Sequence, residues 1–312
     1  MTTSCCCFET VSEVIAAGVL LNFLWGCWNF ISVYFLGKAP DFSKYGKWSI
    51  ITGGTDGIGL AFAKKLAAKG QNIVLISRNA EKLSSVATEL REKYNVETKE
   101  IAVDFSKTDI YEKIGAEIKG IDVGTLINNV GVSYDFPDWF LNYAENPDAI
   151  GRMMAINVNS VVKMVELVMP TMVAKKRGII LNLSSGSAIQ PTPLLSLYSA
   201  SKQFVDCFSK CLNSEYGGEG IIVQSIVPLY VTTKMSKIRR PSFFVPTPEK
   251  FVSCTLKTIG SSRRSYGYFA HAIQEKLFEM VPESLFLWAG KQMSIGIRAK
   301  SLKKRDQAAK GK

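Results

Sequence analysis

Thr52-Gly53-Gly54-Thr55-Asp56-Gly57-Ile58-Gly59 follows the short apolar run Trp48–Thr52 and leads into a helical pattern over Gly59–Lys69. Glycines let a chain turn sharply at the end of a strand. They also let a pyrophosphate approach backbone amides at the positive end of the next helix. Such a pattern is weak alone and informative when it lies between a strand and a helix. Gly53, Thr55, Asp56, Gly57, Ile58 and Gly59 are therefore candidate cofactor contacts. Outward from this turn, Asn72–Ser77, Lys99–Val103, Gly124–Ile127, Gly178–Leu183 and Ile221–Val227 read as further buried strands. Helical stretches such as Glu81–Tyr94 and Met153–Ala174 separate them. Strands alternating with helices predict an α/β fold, a Rossmann-type doubly wound parallel sheet.

The end of the second strand bears on which dinucleotide is held. An acidic residue there holds the ribose 2′-hydroxyl of NAD, whereas this chain has Ser77-Arg78-Asn79. A guanidinium suits a 2′-phosphate, so Arg78 points to NADPH/NADP+; as an ordinary solvated charge it would say nothing. Asp104, just past the third strand, is placed either to touch the adenine amine or to cap the following helical segment. Tyr198-Ser199-Ala200-Ser201-Lys202 puts a phenol and an ammonium on one helical face. A phenol with a pKa near 10 needs a nearby cation before it is an effective acid–base group at neutral pH. Ser185 lies thirteen residues before Tyr198, at a strand end, where its hydroxyl can hold a carbonyl oxygen.

Taken in order, the glycine turn, Asn128-Asn129-Val130-Gly131, Asn157, Ser185, Tyr198 and Lys202 resemble the short-chain dehydrogenases/reductases over roughly Lys47 to Phe269. The resemblance implies that Tyr198 protonates the substrate carbonyl and Ser185 positions it. It implies that Lys202 binds the ribose and lowers the tyrosine pKa, and that Asn157 holds a water in a proton relay. Asn129, Tyr198, Lys202, Val231 and Thr233 join the cofactor contacts. After the sixth strand the family reads P-G-x-V-x-T, and here Leu229 replaces the glycine in Pro228-Leu229-Tyr230-Val231-Thr232-Thr233. Asn128 to Tyr134, Ser184 to Ser187 and Val231 to Met235 are similar to one branch, which joins 17β-hydroxysteroid dehydrogenases of type 12 with very-long-chain 3-oxoacyl-CoA reductases. That branch implies NADPH-dependent reduction of a long-chain acyl-CoA or a steroid such as estrone, at the endoplasmic reticulum membrane. It also implies a homodimer and other fatty-acid elongation enzymes as partners. A cofactor-binding scaffold with little turnover is the alternative outside catalysis.

Composition narrows the field further. His271 is the sole histidine among the 312 residues, and the seven cysteines contain no paired C-x-x-C, which argues against a Ser-His-Asp hydrolase, a zinc site and a disulfide scaffold. The net charge is +11, and six of those charges lie between Arg298 and Lys312, where seven cations face Asp306 alone. A basic run at one end is a solvated or lipid-facing tail, not the basic and aromatic face that nucleic acid requires. Cys207 and Cys211, one turn apart, read as core packing.

Val14–Leu36 is an uncharged run of 23 residues. As a helix it extends about 34 Å, against a hydrocarbon core of roughly 30 Å. Glu9 and Glu13 before it argue against a cleaved signal peptide, and Lys38, Lys44 and Lys47 after it place the bulk of the chain in the cytosol. The expected layout is an anchor and linker over 1–46, a catalytic domain over 47–275 with a substrate loop at 234–250, and an amphipathic, membrane-associated segment with a basic tail over 276–312. Lys234, Lys237, Arg239 and Arg240, beside Phe243 and Phe244, suit either coenzyme A phosphates or a membrane surface. Leu277–Ile297 is too interrupted to span and fits an interfacial segment. Cys5–Cys7 are candidate palmitoylation sites or free thiols. Lys310, third from the end, half-matches a dilysine retrieval signal, and Asn182-Leu183-Ser184 is a glycosylation sequon on a core strand that a cytosolic domain leaves unused.

Overall fold

A computed structural model describes residues 2–310, with side chains from 13 to 309. The side chains of Cys5–Cys7, candidate lipidation sites, and the last two residues of the chain, which belong to the retrieval signal, lie outside what is described. Seven strands form one parallel sheet: β1 (Trp48–Thr52), β2 (Asn72–Ser77), β3 (Thr98–Ala102), β4 (Val123–Asn128), β5 (Gly178–Leu183), β6 (Ile221–Ile226) and β7 (Arg264–Ser265). Their order is β3-β2-β1-β4-β5-β6-β7. The order reverses between β1 and β4, and ligands bind outside the carboxyl ends of strands at such a switch point. β4 and β5 are buried along their whole length, as strands covered on both faces must be.

On one face lie α2 (Gly57–Ala67), α3 (Ala80–Tyr94) and α9 (Pro248–Thr255), whose Phe62, Leu90 and Phe251 join Ile51 and Leu75 in one core cluster. On the other lie α4 (Tyr111–Ile118), α7 (Ser160–Ala174) and α8 (Ser196–Tyr216), whose Ile114, Met164 and Leu212 pack on Ile50 and Leu126. Asn182 crosses the middle of the sheet as a buried polar link: it accepts from Asn128 Nδ2 at 2.9 Å and donates to Ser209 Oγ at 2.9 Å. The sequon asparagine is thus a buried, fully engaged part of β5.

The helix expected over Met153–Ala174 runs unbroken from Ala149 to Ala174 with a π-helical turn inside it. It follows the short helix α5 (Phe140–Ala144) and comprises α6 (Ala149–Met154), the π-helical segment Ala155–Asn159 and α7. Cys207 and Cys211 are exposed on α8, contrary to core packing, because Val205, Ser209 and Leu212 form the inward stripe of that helix.

At the N-terminus α1 (Thr2–Ile31) continues through a π-helical turn to Leu36, and Glu13–Leu36 is apolar and long enough to cross a membrane. At the other end α10 (Phe269–Glu279) and α11 (Glu283–Lys310) complete the chain. Residues 298–310 of the basic tail are helical, and 303–309 are exposed. They are the last turns of α11, in which Arg298 pairs with Asp138 at 2.6 Å and Arg305 lies over the Phe136 ring.

Candidate active site

The glycine turn takes the shape its sequence requires. Gly53 and Gly57 have positive φ of 66° and 53°, a region that costs an L side chain energy. Gly59 is constrained by space instead: a Cβ there would stand 2.2 Å from Gly53 O and 2.5 Å from Asn129 Nδ2. Asn129 donates through Nδ2 to the carbonyls of Thr52 and Gly53, at 3.0 and 3.1 Å. Its side chain is spent on shaping the turn, so its part in cofactor binding runs through the cradle it supports. Gly59→Ala is expected to disturb both groups, costing roughly 1–3 kcal/mol. Dinucleotide affinity and the unfolding midpoint should fall together, read by titration and by thermal denaturation.

Asp56 caps α2, accepting from Gly57 N–H at 2.8 Å, and forms an ion pair with Lys234. Thr55 Oγ1 lies 3.0 Å from Ser77 Oγ, tying the turn to the end of β2. Ile58 packs, partly buried, against the core beneath. Thr233 approaches within 3.4 Å of the place a Cβ on Gly57 would occupy. The segment after β6 therefore reaches over the glycine turn.

Arg78 is exposed at the end of β2, and no hydrogen bond or ion pair engages its guanidinium among the described residues. Asp104 accepts from Ser106 N–H at 3.0 Å. Its carboxyl stays below the ordinary range, chiefly through that bond, with the charges of Arg78 and Arg152 adding to it. Asp104 thus caps a local turn, and α4 starts several residues later.

Ser185 and Tyr198 are brought together where the loop after β5 is laced to the start of α8. Ser184 Oγ donates to Lys202 O at 2.6 Å, and Ser199 Oγ donates to Ser187 O at 2.6 Å. Tyr198 is buried against Tyr134 and Met153 and shares a hydrogen bond with Ser185. Burial raises its pKa, the Ser185 bond opposes that rise, and Tyr230 adds to it. Lys202 lies one helical turn further along α8. The ammonium donates to Leu183 O at 2.9 Å, and burial lowers its pKa to about 8. The phenol is consequently held in its protonated form at neutral pH.

Asn157 sits in the π-helical turn with its amide fully used. Oδ1 accepts from Val132 N–H at 2.8 Å, while Nδ2 donates to Val132 O at 2.9 Å and Ser201 Oγ at 3.0 Å. It joins the loop after β4 to the helix carrying Tyr198 and Lys202. A Cβ on Gly131 would stand 3.1 Å from Lys202 Nζ, so that glycine leaves room for the ammonium.

His271, which composition alone set aside, holds the segment after β6. Its Nδ1 accepts from Leu229 N–H at 3.4 Å and its Nε2 lies 3.1 Å from Tyr230 O. The neutral imidazole with its proton on Nε2 satisfies both. The ring thereby fixes the backbone just before the buried Val231, at the point where Leu229 stands in place of glycine. Burial pushes the His271 pKa down to about 4 and that of the neighbouring Glu275 up to about 7.

These two shifts pull stability in opposite directions. The neutral imidazole contributes fully above its unfolded value near 6.5, and that contribution is lost as pH falls through about 4. The buried carboxyl is best tolerated below its unfolded value near 4.5, and it destabilises as pH rises through about 7. Glu275→Gln should therefore stabilise most above neutrality, by on the order of 1–3 kcal/mol, and should unmask the acid-side loss due to His271. Denaturant midpoints across pH read both effects. Among the described residues no cluster of His, Cys, Asp and Glu could hold a metal ion.

Residues 47–242 match the family described as short chain dehydrogenase. A very-long-chain 3-oxoacyl-CoA reductase of Bos taurus is 46% identical over 281 residues, covering 89% of this chain and 90% of its own length. The very-long-chain 3-oxoacyl-CoA reductase-B of Danio rerio is 46% identical over 300 residues, covering 95% of this chain and 96% of its own. A solved structure from work on 7β-hydroxysteroid dehydrogenase stereoselectivity is similar at a TM-score of 0.73 and 27% identity, over 80% of this chain and 98% of that one. With a buried tyrosine and lysine one turn apart and a glycine turn between the first strand and its helix, this chain belongs to the short-chain dehydrogenase family and is a nicotinamide-dependent oxidoreductase of the CH–OH/C=O pair.

Proposed function

We propose that this protein reduces long-chain 3-oxoacyl-CoA to 3-hydroxyacyl-CoA with NADPH, at the endoplasmic reticulum membrane, in very-long-chain fatty-acid elongation. The observation that carries the substrate is the near end-to-end similarity to reductases named for that reaction, which extends beyond the shared fold into both termini. Arg78 supports NADPH, as a free guanidinium beside the β2 end where a 2′-phosphate would sit. The apolar helix ending at Leu36 supports the membrane, and the lysines after it support a cytosolic catalytic domain over 47–275. The exposed Phe204, stacked on Phe208 beside Cys207 and Cys211, supports a homodimer through α8. Other elongation enzymes are expected partners of the same membrane.

In this reading Gly53, Gly57 and Gly59 receive the pyrophosphate, and Val231 and Thr233 flank the nicotinamide. When bound, that cofactor supplies the hydride for the substrate's 3-carbonyl carbon. The protein supplies the proton. Ser185 holds the carbonyl oxygen beside the Tyr198 hydroxyl. Because burial keeps the phenol protonated, Tyr198 donates to the oxygen as charge develops there. Lys202, a cation able to release a proton near pH 8, stabilises the phenolate left behind. Asn157 keeps Lys202 and the loop after β4 in register.

A ketosteroid reductase uses the same groups, and the 27%-identical hydroxysteroid dehydrogenase structure favours it as the second reading. Turnover of a long-chain 3-oxoacyl-CoA and of estrone by the same membranes separates the two. The first reading predicts a clear preference for the thioester, and the reverse preference would replace it.

A further inference from the structure

α10 turns an apolar stripe outward, edged by the exposed ion pair of Lys276 with Glu279. Phe269, Ile273 and Leu277 recur every fourth residue along one stripe, and Met280 follows them. Ile273 is 36% exposed, Leu277 55% and Met280 80%, whereas His271 and Glu275 on the opposite stripe are 0% and 1% exposed. A helix facing water does the reverse, burying leucine and methionine and exposing glutamate. An exposed apolar stripe edged by charge is the pattern of a helix lying at an apolar–aqueous boundary.

The structure also shows what lies beside that face. The Phe269 ring is 5.6 Å from Phe35, at the end of the apolar N-terminal helix, and 5.5 Å from Phe243 in the substrate loop, which in turn meets Phe244 at 5.0 Å. Tyr34 Oη accepts from Tyr266 N–H at 3.1 Å, and a Cβ on Gly37 would stand 2.4 Å from Lys257 O. The helix end is thus fastened to the catalytic domain and does not hang from a loose tether. Lys38, Lys65, Lys69 and Lys257 line a recess with Phe35 and Leu36, which puts cations at the level where an emerging helix meets anionic headgroups.

We propose that the outer face of α10, together with Phe243 and Phe244 of the substrate loop, lies in the headgroup–acyl boundary of the bilayer that the N-terminal helix crosses. The substrate loop then opens onto lipid, and a long acyl chain reaches Tyr198 without crossing water. The partner is the bilayer surface and not a second copy, because the apolar face is continuous, ring to ring, with the membrane helix. The proposal rests on the reading of Glu13–Leu36 as a membrane span.

The test uses the full chain in phosphatidylcholine vesicles containing phosphatidylserine, with p-benzoylphenylalanine placed in turn at Leu21, Leu277, Met280 and Glu92. Leu21 reports the span, and the exposed Glu92 on α3 reports water. Irradiation should give lipid adducts at Leu277 and Met280 as at Leu21, and only background at Glu92, consistent with burial of about 5–10 Å into the boundary. Adducts at Leu21 alone, or cross-links from Leu277 to a second copy of the chain, would overturn the proposal and leave the anchor standing. No adduct at Leu21 would overturn the anchor and the proposal together. The adducts do not depend on turnover, so a wrong substrate assignment leaves this result unaffected.

Discussion

Tyr198→Phe is expected to lower kcat for ketone reduction by roughly 10²–10⁴-fold, the range for loss of a positioned general acid. The phenyl ring keeps the packing against Tyr134 and Met153, so folding should persist. NADPH binding should persist too, because the glycine cradle and Arg78 are untouched. Cofactor titration by fluorescence beside single-turnover kinetics distinguishes a lost proton donor from a lost site. A companion result follows from Lys202. Its pKa of about 8 means the cation, and with it the stabilised phenolate, is lost as pH rises through that value. The reductive rate should hold through neutrality and decline on the basic side, and Lys202→Met should abolish the decline along with most of the activity.

Arg78→Glu is expected to have the second large effect, on cofactor choice. The guanidinium is exposed and unpaired among the described residues, so removing it should cost the fold little. A hydrogen bond to a charged group is worth about 1.5–3 kcal/mol, so kcat/KM with NADPH should fall by roughly 10- to 100-fold. The new carboxylate can accept from a ribose 2′-hydroxyl, as in NAD-preferring folds, so NADH should improve or hold. Parallel rates with the two cofactors read the ratio. An unchanged ratio would make Arg78 an ordinary solvated charge.

Much of this is legible in the amino-acid sequence. Five of the six strands up to β6 are readable as short apolar runs bounded by polar or glycine-rich turns, and the glycine turn falls between the first strand and its helix. β3, expected as buried, is an edge strand of sequence Thr98-Lys99-Glu100-Ile101-Ala102 that buries Ile101 alone. Tyr198, Ser185 and Lys202 were findable by spacing, and the structure brings them to one end of β5 and α8. What stayed hidden has physical reasons. The π-helical turn carrying Asn157 leaves no mark on the apolar periodicity of Met153–Ala174, since a shifted hydrogen bond changes register and not composition. β7 is two residues long and exists only because Ser225 and Ile226 pair with it. His271 is a lone ring whose value lies in two backbone groups some forty residues earlier in the chain. The short helix α10 around it could not be read as turning an apolar stripe outward until its packing was known. Arg298 looked like one charge of a tail, and its partner Asp138 lies 160 residues away.

The most direct test of the central claim is NADPH oxidation by microsomes carrying the full chain, supplied with a long-chain 3-oxoacyl-CoA, with Tyr198→Phe membranes as the blank and the product identified by mass. Tyr198-dependent oxidation that yields the 3-hydroxyacyl-CoA is the predicted result. NADPH bound but not consumed, or consumed equally by the Tyr198→Phe chain, would contradict it.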